Sequence, residues 1–479
     1  MIIPGPLFIV GALLAVAVIL LLVRRWTGVA AFVATVASSA VVVLLLVVPL
    51  DRVLHLPWFD VLLGAPLNVR GRFLVIEPVD VLPMVFMAAT SALLSILTWR
   101  LMLRSSFFSV AMASLALLFV ALMVGQVVFA ALLIEMAALL MIFPLHEPVR
   151  MRDGTTYGGG VKGGLQYMVY TSLALPGLMI AQLLLAQYEV LPGERGLLQT
   201  ATLLFVFSFG VLLGAVPFQA WLTTVTEDGS PPVVTFLFTV GLGAVWFLLL
   251  DYLESYTWLS EQAAFSTLLT GVGLLMMVFG GTLAAGQRRL GRIVGYATLA
   301  DNGAMFVALG TRREAGVAVA LLLLMARPFA LGLMMLGLDG LRRLGRGDDD
   351  ARRLRGGAWK MPWRALAFMM GGMALAGFPP SLGFAARWGL YRILMSQGTA
   401  QALLALLSGV GVMMGLVNAA RLLLSRPQGS REIETQADDP LVLAFVVGLV
   451  VALTVLGLFP QLLSGFALDV AREFTFYQP

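Results

Sequence analysis

The sequence predicts an all-α polytopic membrane protein of about fourteen transmembrane helices, with two inverted five-helix repeats and two broken helices, 7 and 12. Three observations point there. Of 479 residues, 60% are hydrophobic and 12% charged, whereas a soluble domain carries about 25% charged residues. Only lipid can cover so much apolar surface. Apolar runs of about 20 residues, enough to cross the hydrocarbon core, recur along the whole chain. Two of these runs are interrupted by glycine and proline.

The expected spans are 5–23, 30–49, 79–99, 106–124, 127–145, 164–187, 198–223, 232–251, 265–285, 292–310, 315–338, 361–396, 400–424 and 440–466. They are long, continuous and without alternation, so they read as helices rather than strands. Met1–Val23 lacks a basic leader and runs into Arg24 and Arg25 without a small-residue cleavage site, so it reads as a retained first helix. The organisation expected from these spans is 1–105 (helices 1–3), 106–251 (first repeat, helices 4–8), 265–425 (second repeat, helices 9–13) and 440–479 (helix 14 and a short tail).

Loop charge sets the orientation. Most of the 31 Lys and Arg fall in loops opposite the termini, including Arg24, Arg25, Arg100, Arg104, Arg288, Arg289, Arg292 and the run Arg342 to Lys360. The positive-inside rule then places both termini on the outer side of a bacterial-type cytoplasmic membrane. The net charge of +5 is accounted for by these loops rather than by nucleic-acid binding. The stretch 339–360 reads as a solvated linker or as a docking surface for a soluble partner or anionic lipid.

With no cysteine, disulfides and Cys-ligated iron–sulfur or zinc sites are excluded. His55 and His146 lie far apart in sequence, which argues against a His-rich metal site. Gly158–Gly160 is not followed by GK[ST], so it is no phosphate cradle. The Met-rich patches, Met361 to Met373 and Met413–Met414, read as packing. No catalytic centre, cofactor or metal is expected.

The breaks lie at Gly214-Ala215-Val216-Pro217 in span 7 and Gly377-Phe378-Pro379-Pro380 in span 12. Proline removes a backbone donor and clashes with the preceding turn. The freed carbonyls need protein or water partners in lipid. The breaks are five spans apart, an odd number, so matching repeats would be inverted, and interrupted helices at matching places point to a transport site. Kinks made only for packing would leave the same signature.

Four charges fall within spans: Glu135, Asp301, Arg327 and Arg387. A charge at mid-bilayer costs roughly 2.5–3.5 kcal/mol on insertion scales. Two acids and two bases either hold the bundle as buried ion pairs or form a proton or ion pathway, with carboxylates titrating and arginines gating. Arginine itself does not deprotonate.

Over roughly residues 70–425 the chain resembles the antiporter-like subunits of respiratory complex I, membrane-bound hydrogenases and Mrp-type cation/proton antiporters. The matching segments are LLIEM around Glu135, GLQYMVYTSLALPGLMIAQ (164–182), AVPFQAWL (215–222), GSPPVVTFLF (229–238), LGRIVGYATLADNGAMFVALG (290–310) and MPWRALAFMMGGMALAGFPPSLGFAARW (361–388). The resemblance implies proton translocation within a redox-driven complex of the NADH:quinone oxidoreductase or hydrogenase type. Partners would be other membrane subunits and lipid, with protons or Na+ transported. It also implies lysines where Leu212 and Leu242 or Gly243 stand, and histidines where Gln219 and Asp301 stand. The usual lysine relay is therefore missing over half its length, which leaves open a non-pumping structural subunit of the same fold, or a subunit of a multi-subunit Na+/H+ antiporter.

Overall fold

The computed structural model describes residues 2–55, 57, 59–69, 71–101, 106–150, 156–190, 195–256, 259, 263–426 and 438–476. Arg104 lies outside them. The chain forms two compact units.

The first unit comprises Met1–Glu147, Tyr167–Leu213 and Phe236–Tyr252. In it α1 (Gly5–Leu22) packs on α4 (Phe107–Met123), α2 (Thr27–Val47) on α3 (Pro78–Thr98), and α4 on α5 (Val127–His146). Only 33% of α1 and of α2 is buried, so most of their apolar surface is left for lipid. A capping box starts α3: the Glu77 side chain accepts from the third-position backbone N–H, and Asp80 accepts from the Glu77 N–H at 2.9 Å. Next come α6 (Val161–Val190), α7 (Arg195–Leu212) and α9 (Pro231–Ser255), the last two separated in sequence by the short α8 (Ala220–Asp228), which belongs to the second unit. Leu237–Gly241 of α9 forms a π turn against α3 and α5.

Short strands lie outside the apolar runs. β2 (Val53–His55) and β1 (Ile2–Pro4) flank β3 (Asp60–Leu62), where His55 Nδ1 lies 2.7 Å from Asp60 Oδ1 at the surface. β4 (Leu67–Val69) and β5 (Arg72–Leu74) form a hairpin, and β6 (Val149–Arg150) pairs with β7 (Thr156–Tyr157). They were not foreseen, because pieces of two or three residues carry no readable alternation.

The second unit comprises Pro148–Gln166, Gly214–Thr235 and Leu253–Pro479. Here α10 (Ala263–Ala285) packs against α11 (Leu290–Gly310) and α16 (Thr399–Leu424). α12 (Glu314–Leu344) packs against α14 (Pro362–Ala376), α15 (Leu382–Gln397), α17 (Pro440–Leu458) and α18 (Gln461–Glu473). A one-turn helix, α13 (Gly357–Lys360), precedes α14. Burial reaches 94% for α11 and 89% for α12, which form the centre of this unit. Small residues allow close approach where helices have no hydrophobic drive to associate. A Cβ at Gly273 would sit 2.6 Å from the Gly303 carbonyl oxygen, and one at Gly303 would sit 2.6 Å from that of Gly273.

Among the described residues, 11 helices are long and apolar enough to span a membrane. The count of fourteen is reached only by adding the shorter α4 and α7 and the broken pair α14–α15. Span 14 stops at Leu458 rather than at 466, and Pro460 precedes the separate α18. The second half of span 7 extends as α8 to Asp228.

The largest correction concerns 339–360. Its first six residues extend α12, and Asp339, Arg342 and Asp349 are buried. Arg342 donates to Asp349 Oδ2 from Nε at 3.1 Å and Nη2 at 2.7 Å. It also donates to the carbonyls of Thr226 (2.6 Å), Gly229 (2.8 Å) and Glu227 (3.1 Å) at the end of α8. A cation there satisfies carbonyls that the helix leaves open and opposes its dipole. Tyr157 donates to Asp339 Oδ1 at 2.5 Å, while Arg343 Nε donates to Oδ2 at 2.7 Å. Burial, with Asp339 beside it, pushes the Tyr157 phenol well above its usual pKa. The first half of the segment is a clasp rather than a linker, with Asp339, Arg342, Arg343 and Asp349 paired internally, while Arg352 and Arg355 stay exposed.

Removing one partner of a buried pair costs about 3–5 kcal/mol. Arg342→Met is expected to lose that much, read as a lowered Tm in detergent. The exposed Arg353→Met should change stability by less than about 1 kcal/mol.

Candidate functional site

The two breaks share one backbone device. In span 7, Gly214 has φ +69° and the Val216–Pro217 bond is cis; in span 12, Gly377 has φ +75° and the Pro379–Pro380 bond is cis. Each Gly therefore stands three residues before a cis proline. At the second break the Gly377 N–H donates to Ala374 O at 3.2 Å and the Phe378 N–H to Met373 O at 3.0 Å. These are the two bonds of a Schellman close, which uses a left-handed glycine. The chain restarts at Ser381, whose Oγ accepts from the Phe384 N–H at 3.2 Å. The break thus satisfies much of its own backbone. At the first break, Gln219 precedes α8, and its Oε1 is buried without a partner among the described residues.

Three of the four intramembrane charges meet in the second unit. Asp301 comes from α11, Arg327 from α12 and Arg387 from α15, and they are 2%, 0% and 0% exposed. Asp301 Oδ2 accepts from Arg327 Nε at 2.9 Å and Nη2 at 2.7 Å. Asp301 Oδ1 lies 3.8 Å from Arg387 Nη2. Arg327 Nη2 also donates to Asn302 Oδ1 at 2.8 Å, and Arg387 Nη2 to the Leu375 carbonyl at 2.9 Å. The Leu375 carbonyl lies in the last turn of α14, just before the break, so the broken helix supplies one of the acceptors that hold Arg387.

One carboxylate faces two guanidiniums, so the cluster carries a formal charge of +1. Arg327 Nη1 and Arg387 Nε and Nη1 are buried with no partner among the described residues. A buried donor left unmatched costs about 1–3 kcal/mol. An ion pair made only to hold a bundle would match acids to bases, whereas this cluster keeps an excess cation.

Glu135 is not part of this cluster. It belongs to the first unit, half-buried on α5, where its Oε1 accepts from Ser172 Oγ at 2.6 Å. No cation pairs with it among the described residues. In the same unit Leu212 and Leu242 line one small cavity with Ser114, Tyr167 and Thr171. Its volume is about 20 Å³, room for about one water. The π turn of α9 forms part of its wall, and such turns recur at functional sites.

Sequence reading missed Asn302, which follows Asp301 directly, and the buried pair Arg364–Asp438 at 2.9 Å. Asn302 could have been flagged as a polar residue inside a span. The Arg364–Asp438 pairing carried no signal, because its partners are 74 positions apart.

The geometry at Gly377 yields a test. A Cβ there would lie 2.1 Å from Arg387 Cδ, and φ is positive. Gly377→Ala is expected to destabilise the protein by at least about 1 kcal/mol through backbone strain alone and to displace Arg387. Gly398→Ala, with open space around its Cβ, should leave Tm nearly unchanged. Thermal unfolding in detergent compares the two.

Residues 162–414 match the family described as NADH:quinone oxidoreductase/Mrp antiporter, transmembrane. NAD(P)H-quinone oxidoreductase subunit 2 of Synechococcus sp. (strain JA-3-3Ab) is 30% identical over 217 residues, 45% of this chain and 41% of that protein. NADH-quinone oxidoreductase subunit N 1 of Solidesulfovibrio magneticus is 27% identical over 317 residues, 64% of this chain and 68% of that protein. The aligned regions therefore span 41% and 68% of these two relatives' lengths. Among solved structures, a chain of the Mrp complex from Dietzia sp. DQ12-45-1b superposes with a TM-score of 0.77 at 17% identity, covering 99% of this chain and 97% of that one. A chain of respiratory complex I from Thermus thermophilus with bound aureothin gives 0.71 at 20% identity, covering 95% and 98%. The structural likenesses establish a shared fold. Since the family match runs over more than half of the sequence, including both broken helices, Asp301, Arg327 and Arg387, this multi-pass membrane chain belongs to the NADH:quinone oxidoreductase/Mrp antiporter transmembrane family.

Proposed function

We propose that the chain is an antiporter-like subunit of a multi-subunit, redox-driven membrane complex, of the NADH:quinone oxidoreductase or related hydrogenase type, and takes part in moving protons or Na+ across the membrane. The observation that carries this is the buried Asp301–Arg327–Arg387 cluster beside a broken helix. A bundle has no packing need for an excess buried cation, and intramembrane charges mark ion pathways by default. Relatives named as quinone oxidoreductase subunits support the choice of complex.

Roles follow from side-chain chemistry. Glu135 and Asp301 are the groups able to exchange a proton, and the arginines, always charged, gate by electrostatics. The unmatched N–H groups of Arg327 and Arg387 can hydrogen-bond water along such a path. Leu212 and Leu242 stand where the family resemblance implies lysines, and they line an apolar cavity. A relay in this subunit therefore runs without lysine at those places. Both termini lie on the outer side of a bacterial-type cytoplasmic membrane, in keeping with the basic loops. Helices 4–8 and 9–13 form inverted repeats, supported by the matched Gly and Pro spacing at the two breaks. The lysine-free cavity favours a second reading, a non-pumping structural subunit of the same fold.

The test uses the complex purified with its native neighbours, which also identifies them. Quinone-reductase or hydrogenase subunits are expected; antiporter subunits alone would overturn the redox assignment. In vesicles, Arg387→Met keeps the Asp301–Arg327 pair while removing the excess charge. It and Glu135→Gln are each expected to lower ion pumping at least about tenfold, equivalent to about 1.4 kcal/mol, with assembly intact. Unchanged pumping with both replaced would leave the structural reading.

A further inference from the structure

At one end of the second unit most acids are already paired with cations, and Asp350 Oδ1 accepts the Arg352 backbone N–H at 2.9 Å. Glu227 pairs with Arg289 and Arg292, Asp348 with Arg353, Asp349 with Arg342, and Asp339 with Arg343. Four further arginines, Arg288, Arg352, Arg355 and Arg421, are exposed and form no ion pair among the described residues. All four line one open cavity of about 500 Å³, with Gln287 and Asn418. Among the described residues, none that lines it is acidic. Four guanidiniums around one space repel one another, and an anion bearing several acceptor oxygens relieves that repulsion while matching the planar N–H fork.

The surroundings say which anion. The cavity lies where α10 ends at Ala285 and α16 approaches its end at Leu424, two helices packed on each other. Along α16, Leu407, Val410, Met414 and Val417 are exposed at helical spacing, and the next position on that stripe is Arg421. Along α10, Leu275 and Phe279 are exposed and point the same way along the helix toward Gly286, a cavity residue. Trp359 is exposed beside the end of α16 and donates from Nε1 to the Leu424 carbonyl at 2.7 Å. Tryptophan with one apolar face and one bonded N–H is typical of the membrane–water boundary. Two apolar stripes thus run up to a basic cavity at interfacial level.

We infer that this cavity binds the phosphate headgroup of an anionic phospholipid whose acyl chains lie along the exposed stripes of α10 and α16. Basic pockets between transmembrane helices suit doubly phosphorylated headgroups. Four arginines match two phosphates better than one, so diphosphatidylglycerol should bind more tightly than phosphatidylglycerol, and neutral phosphatidylcholine should not compete.

The test uses the full-length protein in detergent, delipidated and then titrated with each lipid, with bound lipid read by native mass spectrometry. The double variant Arg288→Gln/Arg421→Gln is expected to lower affinity for diphosphatidylglycerol about tenfold or more. Arg353→Gln, whose arginine is already paired with Asp348, is expected to bind as the unmodified chain does. Equal binding by the double variant overturns the proposal. So does displacement of the lipid by millimolar inorganic phosphate, which would mark a site for a soluble phosphate. So does finding the cavity filled by an acidic segment of a neighbouring subunit in the purified complex.

Discussion

A polar group that leaves water for hydrocarbon has to find its partner inside the protein. In the second unit that constraint explains much of the local structure. Arg327 and Asp301 meet across two helices because neither can remain buried alone. The clasp made by Arg342 satisfies three carbonyls and Asp349 at once. The break before α15 closes with its own Schellman bonds and is followed by a serine cap, so its exposed backbone groups are few.

Against that background the partial exceptions gain meaning. Three guanidinium nitrogens of the fully buried Arg327 and Arg387 remain without a partner among the described residues. Natural proteins keep such groups where function requires them. The nearby break contributes a carbonyl, from Leu375, that a regular helix would have committed internally. Chain geometry and site chemistry are therefore coupled: Gly377 is glycine both because its φ is positive and because the stem of Arg387 occupies the space a side chain would need.

The membrane-spanning helices were legible because hydrophobicity, length and the Gly–Pro interruptions are local properties. The segment 339–360 was misread for the same reason. Its charges look solvated in a window of sequence, yet Asp349 is paired with Arg342 and Asp339 with Arg343 and Tyr157. The π turn in α9 and the end of α17 at Leu458 also escaped, since a one-residue change in helical pitch leaves no compositional mark and Pro460 follows an otherwise apolar run.

By itself the sequence determined that the chain is helical, lies in a membrane and carries Glu135, Asp301, Arg327 and Arg387 within apolar runs, because each follows from the cost of placing polar groups in lipid. It could not say which charges meet. Only the tertiary structure decided that Asp301 is shared by two arginines while Glu135 stands apart with Ser172, and that four arginines from three segments face one cavity. Pairing across 26 or 86 residues depends on helix packing, which close glycine contacts and the two breaks control, and not on any property readable one segment at a time.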